Sequence, residues 1–197
     1  MMIHMTNSLY ALHHSRFRTW LASAILCCFI AFPAQSAPLL PIDIPLKTEE
    51  GEVTLRGYEG KVLLLNFWAT WCQSCIEEMP SLMALEEKYK DQGLVLLAVS
   101  EDFRGFDVIP GFLKRNGLEA LNPVWDPKSK LYNALRLKAL PTTLIIDRQG
   151  REAGRMVGGL NWMQPDIRKD MEALLNEPSE ITSETPVAPP QDIPPHP

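Results

Sequence analysis

Between His14 and His196 the sequence contains no histidine, and of its four cysteines only Cys72 and Cys75 lie outside the first 36 residues. The lack of histidine removes the commonest metal ligand from the body of the chain. A structural zinc site takes about four ligands, and one cysteine pair supplies half of that set. Zinc is therefore excluded, as is a copper carrier that ligates through histidine. Structural disulfides are missing too, because a lone pair at i, i+3 staples nothing distant. Basic charge is scarce. The formal charge is −5. Without the first 36 residues, which hold Arg16 and Arg18 and no acid, 17 basic residues face 24 acidic ones. That balance excludes a basic face for nucleic acid and reads as an acidic, soluble surface.

The apolar run Trp20–Ala34 falls short of the roughly 20 residues a comfortable membrane span needs. Arg16 and Arg18 precede it and Ala34-Gln35-Ser36 follow it. A charged start, an apolar middle and small residues at a cut site describe a secretory signal, with Ala37 as the mature start. An uncleaved, tilted anchor is the alternative that length leaves open. A lipoprotein fits less well, because Leu26 and Cys27 are poor residues to precede a lipidated cysteine. The expected organisation is a signal or anchor over 1–36, one folded domain over 37–176 and a tail over 177–197. That tail holds seven prolines in its last 20 residues and too little apolar surface to order itself. Export to the periplasm or cell exterior means an oxidising compartment. An exported domain without staples that keeps one Cys-x-x-Cys uses the pair for chemistry.

What is present is a strong strand and helix pattern. Val53-Thr54-Leu55 reads as a short strand pairing with Leu46 across a Glu50-Gly51-Glu52 turn. Val62–Trp68 and Leu94–Val99 are continuous apolar runs, as strands buried on both faces are. Residues 72–91 read as a helix with Met79, Leu82, Met83, Leu85 and Tyr89 on its apolar face and Pro80 as a kink. Phe106–Asn116 reads as a helix closed by Gly117, and Ser129–Leu135 as a short one. Leu144–Asp147 and Glu152–Val157 read as a hairpin about Gln149-Gly150. A last helix opens at Asn161 or Asp166 and ends near Asn176. Parallel strands first and an antiparallel hairpin last give an α/β fold, a mixed sheet with helices on both faces and an N-terminal β-hairpin.

Strand Val62–Trp68 feeds Cys72-Gln73-Ser74-Cys75 into a helix start. Free N–H groups and the helix dipole there favour a thiolate on Cys72. Phe67–Cys75, Pro80, Leu140-Pro141-Thr142-Thr143, the Asp147–Gly150 turn and Gly158 together resemble the thioredoxin superfamily. Within it they resemble the exported TlpA/ResA-like thiol-disulfide oxidoreductases, over roughly residues 40–176. The resemblance implies a thioredoxin-like fold, a redox-active Cys72–Cys75 disulfide, and no cofactor or metal. Cys72 is then the nucleophile, and Cys75, one turn along, the resolving thiol.

Many thioredoxins place a buried Asp where this chain has Asn66. Glu78, three residues past Cys75, matches a Glu of ResA-like proteins and takes over as proton acceptor, with its pKa raised by burial. Its neighbour Glu77 is expected to be solvated. Pro141 is implied to be cis. Trp71, Gln73, Ser74, Leu140, Pro141 and Gly158 are the implied substrate contacts, with Gln73 and Ser74 tuning the couple. Residues 101–123, including Phe103, are expected to pack as an added helical segment, with shaping of substrate choice as the alternative.

The function expected is a periplasmic thiol:disulfide oxidoreductase that reduces disulfides of exported clients, in cytochrome c or copper-site maturation. A membrane electron donor of the DsbD/CcdA kind would recharge it. The alternatives are a general disulfide oxidase or isomerase, and a non-catalytic module that holds extended chains.

Overall fold

The computed structural model describes residues 40–177. The expected leader and all but Glu177 of the expected tail lie outside them. The strands are β1 (Leu46–Lys47), β2 (Glu52–Val53), β3 (Val62–Trp68), β4 (Leu94–Ser100), β5 (Pro123–Trp125), β6 (Thr142–Ile146) and β7 (Glu152–Val157). The helices are α1 (Gln73–Tyr89), α2 (Ile109–Asn116), α3 (Lys130–Ala134) and α4 (Pro165–Asn176). All seven strands share one sheet in the order β2-β1-β5-β4-β3-β6-β7. The central pairs β3–β4 and β4–β5 are parallel, and β3–β6, β6–β7, β1–β2 and β1–β5 are antiparallel.

Every residue of β3 is buried, as a strand covered on both faces requires. Its alternation divides the core. Val62, Leu64 and Trp68 face α1, α2 and α4, where Met79, Leu82, Leu85, Ile109, Leu113, Met171 and Leu175 close one layer. Leu63, Leu65 and Phe67 face the other layer, with Leu131 and Leu135 around α3 and Leu46 and Leu55 from the N-terminal hairpin. Helices therefore lie on both faces. Among the described residues no helix is long and apolar enough to cross a membrane.

Several boundaries differ from expectation, four of them for a plain local reason. Leu55 is not in a strand but opens a 3-10 turn, Leu55–Tyr58. The Arg56 N–H donates to Ile42 O (3.2 Å) and pulls the chain away from β1. The helix expected from Phe106 begins at Ile109, after a 3-10 turn at Gly105–Asp107. Pro110, which has no N–H to donate, sits in its first turn. Asp147 leaves β6 because its carboxylate accepts the N–H groups of Gln149 and Arg151, both at 2.9 Å, and holds the turn itself. The last helix opens at Pro165, and the Asn161 side chain instead accepts the Met163 N–H in the preceding turn (3.0 Å).

Candidate active site

Cys72 and Cys75 are joined by a disulfide with an S–S distance of 2.09 Å. Cys72 is the N-cap residue of α1, and no acidic residue occupies the first turn. Its carbonyl accepts the N–H groups of Cys75 and Ile76 at 3.1 and 3.2 Å. The pair is asymmetric. Cys72 keeps 7% of its surface in solvent and Cys75 none, so an incoming reagent meets Cys72 first. The Ser74 hydroxyl lies 3.7 Å from the Cys72 sulfur. Gln73 points outward and donates to Glu77, which is exposed as expected. Trp71 is exposed beside Cys72, while Trp68 is fully buried.

Glu78 is buried, one helical turn beyond Cys75. Its Oε1 accepts the Asn66 amide at 2.8 Å, and the same amide donates to Thr143 Oγ1 at 2.8 Å. Its Oε2 accepts the Leu160 N–H at 3.1 Å and the Trp162 indole N–H at 3.2 Å. Burial pushes the carboxyl pKa up, and the donors from Trp162, Leu160 and Asn66 oppose that without cancelling it. The result is a carboxylate held in place yet willing to take a proton. Asn66, at the position where a buried Asp would sit, orients this group instead of titrating.

The Leu140–Pro141 peptide is cis. Pro141 is buried and Leu140 half-buried, with Leu140 packing against both layers of the core. Thr142 pairs with Phe67 on β3 and Val157 on β7, which sets this segment at the end of the sheet that carries Cys72. Gly158 donates to Pro141 O at 2.9 Å and holds a φ of +93°, which favours glycine. Nothing lies within 4 Å of where its Cβ would be, whereas a Cβ on Gly159 would stand 2.9 Å from Ser74 O. The close approach belongs to Gly159.

Three features escaped the sequence. Trp162 and the Leu160 N–H reach Glu78 from more than 80 positions away, and only an indole isolated between Gly158-Gly159 and Pro165 hinted at a buried role. Asp102 fastens the active-site loop: its carboxylate accepts the Thr70 N–H (2.9 Å), the Thr70 hydroxyl (2.6 Å) and the Ser100 hydroxyl (2.9 Å). Glu101 follows β4 with both carboxylate oxygens buried and without a hydrogen-bond partner. Its pKa is pushed up to about 7, first by burial and then by the Asp126 and Asp102 charges, while the nearby Ser129 hydroxyl favours the charged form. Among the described residues no group of three His, Cys, Asp or Glu is placed to hold a metal ion.

The chain is similar to known proteins in sequence and in fold. Residues 33–151 match the AhpC/TSA family. The chain is 35% identical over 133 residues to the thiol-disulfide oxidoreductase ResA of Geobacillus thermodenitrificans, covering 67% of this chain and 74% of that protein. It is 36% identical over 123 residues to ResA of Geobacillus kaustophilus, covering 62% and 68%. A crystal structure from Chlorobium tepidum, described as a thiol:disulfide interchange protein DsbE, superposes with a TM-score of 0.64 at 28% identity, covering 71% of this chain and 96% of that one.

Proposed function

We propose that this chain, which belongs to the AhpC/TSA family and is a thiol-disulfide oxidoreductase, works outside the cytoplasm as a reductase of disulfides in exported client proteins. Clients whose cysteines must be free to receive haem or copper fit that role. The leader read over residues 1–36 supports export. The observation that carries the assignment of the two sulfurs is their unequal burial, 7% for Cys72 and 0% for Cys75.

The cycle begins with both thiols reduced. The Cys72 thiolate attacks one client sulfur, and the other client sulfur leaves as a thiolate that water protonates. A mixed disulfide now joins enzyme and client. Cys75 gives its proton to Glu78, and the Cys75 thiolate attacks the Cys72 sulfur. The second client thiolate departs and the Cys72–Cys75 disulfide closes. Two electrons have passed to the client, and Glu78 then releases the proton to solvent. A membrane dithiol donor of the DsbD/CcdA kind returns the two electrons by the same exchange in reverse.

Absence of a histidine between the cysteines supports the reducing direction, because a cation there would stabilise the thiolate and favour oxidation. The test uses the leaderless protein. Its reduction potential is expected nearer the roughly −270 mV of thioredoxin than the roughly −120 mV of a strong oxidant. Cys75→Ser is expected to accumulate client mixed disulfides, and Glu78→Gln to slow their release about tenfold or more. A potential near the strong-oxidant value would make the protein an oxidase or isomerase. An unchanged release rate would remove Glu78 from the proton path.

A further inference from the structure

Three large apolar side chains stand out in solvent among the described residues: Trp71 at 69% exposure, Phe103 at 97% and Val157 at 63%. All three emerge at one end of the sheet. Trp71 follows β3 and adjoins Cys72. Phe103 follows β4, whose last residue, Ser100, pairs with Trp68 at the end of β3. Val157 ends β7, opposite Thr142 at the start of β6. The strand order β4-β3-β6-β7 therefore sets Phe103 on one side of the disulfide and Val157 on the other.

Trp71 and the Pro141 segment already belong to the site. Phe103 does not, and its exposure is not that of a loose loop. On its N-terminal side, Glu101 donates its N–H to Trp68 O at 2.8 Å, and Asp102 is buried on Thr70 and Ser100. The Trp125 indole also donates to Asp102 O at 2.8 Å, and on the C-terminal side Gly105 lies so close to the Trp125 ring that a Cβ there would stand 2.4 Å from it. A loop whose backbone is fixed on both sides of the ring has little conformational freedom left to lose when something covers the ring. The loop that fixes it is bonded to Thr70, two residues from the nucleophile.

We propose that Phe103 is a client-docking residue, receiving an apolar side chain that flanks the reacting cysteine of a polypeptide disulfide on the β4 side. The occupant is the client itself, whose disulfide is brought to Cys72, since the loop that carries the ring is bonded through Asp102 to Thr70 beside that sulfur. Neighbouring strands are about 4.8 Å apart and an extended chain advances about 3.3 Å per residue. The recognised side chain thus falls about one or two residues from the reacting cysteine. Selection works by local apolar character beside the disulfide, which a partly folded client presents and a finished one buries.

This inference rests on the oxidoreductase reading, and its test separates the two. The probes are two synthetic disulfide-closed peptides that differ only in a Leu or Ser two residues from the reacting cysteine. Reduced protein is expected to prefer the Leu peptide about tenfold in kcat/KM. Phe103→Ser is expected to bring that ratio to about one, and Phe103→Leu to restore most of it. A role confined to loop structure would depress both peptides alike and leave the ratio unchanged, which would overturn the proposal. Failure of the unaltered protein to reduce either peptide would instead overturn the oxidoreductase reading beneath it.

Discussion

Two buried carboxylates, Glu78 and Glu101, show how surroundings decide what an acid does. Glu78 receives three N–H donors, whereas Glu101 receives none on either oxygen. Both are raised by desolvation, but only Glu101 has neighbouring acids adding to the rise. Below pH 4.5, the ordinary value, Glu101 is neutral in folded and unfolded chains and costs nothing. Between there and about 7 the unfolded chain gives up a proton that the folded chain keeps, so stability falls as pH rises, and above about 7 the loss stays constant. The span corresponds to a loss on the order of 3 kcal/mol. Glu101→Gln is therefore expected to gain stability relative to the unaltered protein as pH goes from 4.5 to 8, by up to that amount. Urea titrations across the range check it, and a flat difference would show that Glu101 ionises freely in the fold.

At the scale of elements, the site is a junction between the first turn of α1 and the segment that follows β7. Gly159 lets the two meet, with room for a hydrogen and not for a methyl group against Ser74 O. Gly159→Ala is expected to cost about 1–3 kcal/mol, the usual range for overpacking. It is also expected to slow mixed-disulfide release, because it displaces the adjacent Leu160 donor from Glu78. Equilibrium unfolding and single-turnover kinetics measure the two effects. Much of this architecture was legible in advance. β3 and β4 announced themselves as apolar runs, interrupted in β3 only by Asn66, β7 was read to its bounds, and Glu78 was singled out by its spacing from Cys75 together with the resemblance to ResA-like proteins. What was not legible was decided by single bonds or by distance along the chain. The Arg56–Ile42 bond ends the first hairpin, the Asp147 carboxylate ends β6, and the Trp162 indole meets Glu78 across 84 positions. No local pattern encodes those choices.

For the whole molecule, chemistry and cohesion sit at opposite ends of the sheet. Cys72, Pro141 and Phe103 cluster where β3 and β4 end. Arg148 lies where they begin, donating to Gly60 O (3.0 Å), Gln92 O (2.8 Å) and Leu175 O (3.0 Å). One guanidinium thus ties the entries to β3 and β4 to the end of α4. Arg148→Met keeps the aliphatic stem and strands three carbonyls, with an expected cost of about 2–3 kcal/mol. The reduction potential of the Cys72–Cys75 pair is expected to stay where it was, which thermal unfolding and redox titration report separately. The reach of Trp162 to Glu78 has its own consequence for biogenesis. Synthesis runs from the N-terminus, so both thiols exist before the indole that holds the Glu78 carboxylate has been made. A newborn chain therefore carries its sulfurs unguarded, and the catalyst comes into being only when its final third arrives.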